Sequence, residues 1–222
     1  MSIVDLRRRC KAPPSIYPSS PSNSLCVPIT PGPNSTAAAS GMARPPGISG
    51  NHTVALTFAK AGFPVFPCDA ASKRPLTSRG FHAALTNDRA IGRWWCDHPE
   101  ALVGLPTSHF WVLDIDAKPS LEKSIGGLLE LLGISKVTLA AACGLVVATP
   151  GGGRHVYFAR TPGVSIRTTA GDISPSVDTR GHDADGRPTG YVIAPTCVLP
   201  DGRTYRVVQG SLASLFALGV RA

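Results

Sequence analysis

Residues 110–116 read Phe-Trp-Val-Leu-Asp-Ile-Asp, and this short stretch constrains the rest of the chain more than any other. Side chains two apart in a strand share a face, about 6.6 Å from one another along the chain. Asp114 and Asp116 therefore stand side by side, while Trp111, Leu113 and Ile115 are free to bury the opposite face. Carboxylates held that close repel each other unless a cation or a shared proton relieves them. Oxygen-rich sites of this kind suit Mg2+ or Mn2+. The competing reading is a strand end carrying two solvated acids.

Helices are expected before this strand and further strands after it. Asn51 is placed to cap a helix bearing Val54, Phe58 and Ala61 on one side and ending at Gly62. Phe63–Phe66 reads as a short strand whose flanking prolines favour an edge. Asn87 caps a second helix with Ile91, Trp94 and Trp95 as its apolar side. Ser120 opens a third, with Ile125, Leu128, Leu129 and Leu132 at helical spacing, closed near Gly133. An apolar run at 101–105 precedes the strand at 110–116. Strands are expected at 144–149, 154–159, 176–180, 190–194 and 204–208, and a short helix from Ser211. Helices early and strands late fit an α+β fold better than a doubly wound parallel sheet.

Composition divides the chain. Residues 1–50 hold nine Pro, nine Ser and four Gly, and Tyr17 alone among Phe, Tyr and Trp, so they are expected to be disordered. Met42 offers an alternative start, which makes residues 1–41 a candidate mis-assigned leader. The expected organisation is thus a tail at 1–50, a catalytic domain at 51–210 and a C-terminal helix at 211–222. The formal charge of +8 splits evenly between residues 1–50 and the remainder. The tail's Arg7, Arg8, Arg9 and Lys11 form a basic cluster able to touch nucleic acid, though so short a run also serves as a solvated patch. With 43% hydrophobic and 16% charged residues, the chain as a whole is not disordered. The longest near-apolar run, Leu139–Ala148, falls far short of the ~20 residues of a membrane span. No stretch has the build of a signal peptide, so the expected location is the cytoplasm, away from membranes. The six cysteines form no CxxC pair. They read as buried or idle thiols, with a zinc site built from distant Cys and His as the open alternative.

Two further motifs carry chemistry. Thr149-Pro-Gly-Gly-Gly-Arg154-His155-Val-Tyr-Phe reads as two strands joined by a glycine turn that lets a backbone or a phosphate approach closely. His155 and Tyr157 share one strand face, and His155 is either a donor to a phosphate oxygen or a satisfied structural histidine. No GxxxxGK[ST] occurs, so an ATP-driven motor is not encoded in these residues. In Ser176-Val-Asp178-Thr-Arg180-Gly181, Asp178 and Arg180 lie on one strand face. They form either a surface ion pair of little worth or, through Asp178, the third carboxylate of a metal set with Asp114 and Asp116.

In this order the motifs resemble those of the primase-polymerase domain of bifunctional DNA primase/polymerases, within the archaeo-eukaryotic primase superfamily. The carrying residues are Val112-Leu-Asp114-Ile-Asp116, Gly153-Arg-His155 and Val177-Asp178. They are supported by Gly62-Phe-Pro-Val-Phe-Pro67, Lys73-Arg-Pro75, Trp94-Trp95, Val177-Asp-Thr-Arg-Gly181 and Gly190-Tyr-Val-Ile-Ala-Pro195. The resemblance covers roughly residues 54–208. It departs from the family pattern at Gly151, at Thr107-Ser108-His109 and in the polar insert His182–Thr189, loops that border the expected nucleotide pocket.

The resemblance implies an RRM-like antiparallel catalytic sheet joined to an N-terminal α/β unit. It also implies template-directed transfer of nucleotides to a 3′-hydroxyl in DNA replication. Asp114, Asp116 and Asp178 would hold two Mg2+ or Mn2+ ions, and His155 would bind the triphosphate. Arg154, Arg180 and Lys73 are further phosphate contacts on the grounds of charge and proximity to motifs. The implied partners are nucleoside triphosphates, a single-stranded DNA template held in a basic groove, and a helicase acting in trans, in a setting such as a mobile element. Two other classes fit part of the pattern. A DxD glycosyltransferase leaves the Gly-Arg-His strand and Asp178 unexplained, and a non-catalytic RRM-like nucleic-acid-binding protein leaves all four polar residues without work.

Overall fold

The structure, a computed structural model, describes residues 50–219. The Pro/Ser-rich tail, its basic cluster and Met42 lie outside the described residues. Helix α1 (Gly50–Lys60) buries Ala55, Phe58 and Ala59 and is ended by Gly62 at φ +85°, a conformation that costs glycine little. Asn51 does not cap it. It lies inside the helix, 6% exposed, and its amide clasps a distant backbone. Nδ2 donates to the Val198 carbonyl at 2.9 Å, and Oδ1 accepts from the Val198 N–H at 2.9 Å. A buried amide is better satisfied by a complete backbone donor–acceptor pair than by a helix end open to water.

Strand β1 (Phe66–Cys68) begins where Phe63–Phe66 was expected to end, with Phe63 and Val65 buried on the approach. It pairs with β2 (Leu102–Pro106) and is the edge strand of its sheet, where Pro67 is tolerated, with only a Cys68–Pro75 bridge on its outer side among the described residues. β2 is buried at every residue, so the apolar run at 101–105 is a central strand. Its other neighbour is β7 (Tyr191–Ile193), completing an antiparallel sheet of order β1-β2-β7. Helix α2 (Asp88–Asp97) is capped by the Asn87 side chain, which accepts from Ala90 N–H. Ile91 and Trp95 are its buried residues, and the Trp95 indole donates to the Ala101 carbonyl at 3.2 Å. Trp95 is therefore a core residue, with Trp94 packed beside it.

The second sheet has the order β6-β3-β5-β4-β8, antiparallel throughout. Its strands are β3 (Phe110–Ile115), β4 (Leu145–Ala148), β5 (Arg154–Ala159), β6 (Val177–Arg180) and β8 (Arg206–Gly210). Helix α3 (Leu121–Leu132) starts at Ser120, whose hydroxyl accepts from Lys123 N–H, and stops at Gly133 in the left-handed region. Helix α4 (Lys136–Ala142) was not expected: Ser135 caps it, and its Val-Thr-Leu-Ala-Ala-Ala run merges in sequence with the next strand. No single helix among the described residues is long and apolar enough to cross a membrane.

Both faces of the five-stranded sheet are buried at its centre, along β3 and β5. Trp111, Leu113, Ile115, Val156 and Phe158 pack with Leu128, Leu132 and Leu139 from α3 and α4. Trp111 stacks on Phe158 with ring centroids 4.2 Å apart. The other face presents Phe110, Val112, Leu145, Val147 and Tyr157 to the core shared with α1, α2 and the three-stranded sheet. Each such buried side chain contributes about 1.5–3 kcal/mol. Helix α5 (Leu212–Gly219) closes this core, with Leu215 buried and the Phe216 ring 5.1 Å from that of Phe58. The result is a mixed α+β fold with two antiparallel sheets.

Candidate active site

Along β3 the face that carries Phe110 and Val112 into the shared core emerges at Asp114. That transition places a carboxylate at the edge of a cavity of about 430 Å³ between the two sheets. Asp116, one residue past the strand, lines the same cavity, and its N–H donates to the Ser176 carbonyl at 2.8 Å. Register does the rest. Asp114 pairs with His155 across β5 and with Asp178 across β6, so the three side chains form one row across three strands.

The row is electrostatically closed. His155 Nε2 lies 3.4 Å from Asp114 Oδ1. Arg180 Nη2 lies 3.1 Å from Asp114 Oδ2 and 3.3 Å from Asp178 Oδ2. The other oxygen of Asp178 accepts from the Gly171 N–H at 2.6 Å. Burial alone would raise the Asp114 pKa, but the hydrogen bond and charge of His155, with Arg180 behind them, hold it down at about 2. His155 is 7% exposed, and its Nδ1 finds no hydrogen-bond partner among the described residues.

The opposite wall belongs to the three-stranded sheet and its loops. Lys73 lines the cavity with a backbone φ of +60°, and its Nζ sits 5.9 Å from the centre of the Tyr205 ring. The Tyr191 hydroxyl donates to the Lys73 carbonyl at 3.1 Å, and its ring stands edge-on to Phe66. Burial, with Cys197 and Asp114 nearby, pushes the Tyr205 phenol up, so it is uncharged at neutral pH. Phe81, Thr168 and Thr189 also line the cavity. The strands expected at 190–194 and 204–208 contributed no candidate site residue, so both tyrosines were missed. The period-two spacing from Gly190 already put Tyr191 and Ile193 on one strand face.

Arg154 is not brought to this cavity. As the neighbour of His155 in a strand it points to the other face, where its Nη1 donates to the carbonyls of Gly152 and Gly153 at 3.2 and 2.8 Å. It borders a separate apolar hollow beneath α3 and α4, with Ile115 and Val156. Of the seven residues singled out from sequence, Asp114, Asp116, His155, Arg180 and Lys73 line the cavity, and Asp178 joins them through Arg180.

The glycine turn positions the row. Gly152 has φ +87°, and a Cβ on Gly153 would collide with the Ile115 carbonyl oxygen. Only glycine lets β5 lie this close to the end of β3. Thr107, buried between β2 and β3, donates its hydroxyl toward the carbonyls of Gly181 and Gly190, joining the two walls at their base.

By donor chemistry the carboxylates suit a hard divalent cation. Among the described residues, however, no three His, Cys, Asp or Glu side chains are arranged to hold one. The point on which Asp114 Oδ2 and Asp178 Oδ2 converge is taken by the Arg180 guanidinium.

Acid, imidazole and guanidinium groups are thus gathered in one polar cleft between the two sheets. The family model of the bifunctional DNA primase/polymerase N-terminal domain (Prim-Pol) matches residues 55–217, and the chain belongs to this family. No curated protein matches the chain.

Proposed function

We propose that the domain performs template-directed nucleotidyl transfer. A 3′-hydroxyl attacks the α-phosphate of an incoming nucleotide, the α–β phosphoanhydride bond breaks, and pyrophosphate leaves. The observation that carries this reading is the row His155–Asp114–Asp178 fixed by strand register, with Arg180 and Lys73 in the same cleft. Asp114, Asp116 and Asp178 are the residues to hold Mg2+ or Mn2+, once Arg180 gives way. When bound, such ions activate the attacking oxygen and neutralise the leaving one. His155, lining the cavity and held beside Asp114, is the imidazole placed to meet a triphosphate oxygen. Lys73 supplies positive charge from the opposite wall, and the Tyr191 and Phe81 rings give a nucleobase an apolar surface.

The strand order β6-β3-β5-β4, with α3 and α4 between β3 and β4, supports an RRM-like reading of the catalytic sheet. We further propose a single-stranded DNA template, a helicase acting in trans, a cytoplasmic setting and a role in replication, such as that of a mobile element. Family membership supports this chemistry over sugar transfer.

The test incubates the full chain with Mg2+ or Mn2+, labelled nucleotides, and primed and unprimed single-stranded templates. Extension or primer synthesis is expected, and Asp114→Ala or Asp116→Ala should reduce it at least ~100-fold. Intact DNA binding with no incorporation on any template would replace this reading with that of a non-catalytic binding module.

A further inference from the structure

Arg180 bridges two members of the row. Each of its two carboxylate partners has one oxygen already committed: Asp114 Oδ1 to His155, and Asp178 Oδ1 to the Gly171 N–H. The remaining oxygens both turn to a single atom, Arg180 Nη2. Strand pairing sets Asp114 and Asp178 directly opposite, so their convergence belongs to the backbone and not to a chance side-chain rotamer. Arg180 itself lies two residues beyond Asp178 on the same face, 29% exposed, on a long side chain that borders the cavity.

We propose that Arg180 is a positioning residue that holds the cation position between Asp114 and Asp178, and leaves it for the triphosphate when metal and nucleotide arrive. Its guanidinium and a divalent ion compete for the same two oxygens, so each lowers the occupancy of the other. A triphosphate in the cavity offers the guanidinium another anion, and bidentate recognition of phosphate is a strength of arginine. A ligand that favours the displaced arrangement must, by linkage, tighten metal binding, and metal must tighten the nucleotide. The carboxylates thereby avoid standing unpaired in the absence of substrate. The nucleotide half of the proposal rests on the nucleotidyl-transfer reading; the competition between Arg180 and metal does not.

The experiment measures Mn2+ binding to the full chain by electron paramagnetic resonance, without nucleotide or DNA. Arg180→Gln should bind Mn2+ roughly five- to tenfold more tightly than the wild type, and Arg180→Lys, which keeps the charge, should stay close to the wild type. In parallel, the 15N side-chain resonance of Arg180 should shift in step with saturation by Mg2+. Unchanged Mn2+ affinity in a folded Arg180→Gln variant overturns the proposal, as does an Arg180 resonance that stays fixed at Mg2+ saturation. If Arg180→Gln fails to fold, the resonance decides alone. A chain that incorporates no nucleotide yet passes both tests removes the polymerase reading and leaves the competition standing. A polymerase that fails both tests removes only the competition.

Discussion

Asp114 is the residue on which the site turns, and its ionisation is tied to the stability of the fold. Its folded pKa of about 2 lies below the ordinary carboxylate value of 3.8. A depressed pKa means that the charged form is favoured by folding. The stabilisation is fully present above about pH 4 and is lost as pH falls through the folded value. The size is on the order of 2 kcal/mol for a side chain that is three-quarters buried. Asp114→Asn should therefore be less stable than the wild type by about that amount at pH 7, with the gap closing between pH 4 and pH 2. Urea unfolding of both proteins across that range checks it, and a gap independent of pH would show that the charge is not the cause. At this scale the sequence was informative about identity and weaker about direction. The alternation that put Asp114 and Asp116 on one side of Leu113 also puts Arg154 opposite His155. Nearness to a motif had counted Arg154 as a phosphate contact. The left-handed backbone of Lys73 had no sequence signal, because it comes from the loop whose Lys73 N–H bonds the Asp69 carbonyl.

Among the elements, the glycine turn between β4 and β5 has the sharpest consequence. Thr149 and Gly153 close it through the 3.1 Å bond from Thr149 N–H, and Gly153 lies against the backbone of Ile115. A methyl group there meets a carbonyl oxygen at the end of the β3–β5 pair, where backbone faces backbone and neither yields easily. Gly153→Ala should cost about 2 kcal/mol and lower activity further by moving His155 away from Asp114. Gly151→Ala, with open space at its Cβ, should leave stability nearly unchanged. Thermal unfolding of the pair separates the two cases. Elements with a strong local signature were legible: Ser120 and Gly133 bound α3 as written, and Asn87 caps α2. Those decided by tertiary pairing were not. β2 needed neighbours on both sides to be recognised as a strand, and α4 was hidden by an apolar run that continues into β4.

At the scale of the whole molecule, the start and end of the described chain are fastened to each other. Asn51 bonds Val198, 147 residues away, and Phe216 packs on Phe58. Asn51→Ala removes both part-buried bonds to the Val198 backbone, and should cost about 1–2 kcal/mol. A loss of unfolding free energy in urea of less than a quarter of that would mean that other groups take over the bonds. Local reasoning could not foresee this tie, since an asparagine at a helix start reads as a cap until the distant segment between β7 and β8 is in place.

The row of His155, Asp114 and Asp178 has one more consequence. Its members come from three strands at a single level, and a slip of one residue in β5 or β6 would turn His155 or Asp178 to the reverse side of the sheet. Misregistered molecules would retain their β-structure and much of their apolar burial, yet have no chemistry at all. Turnover per milligram of a refolded sample would then be a census of correctly paired chains, which spectroscopic measures of strand content cannot supply.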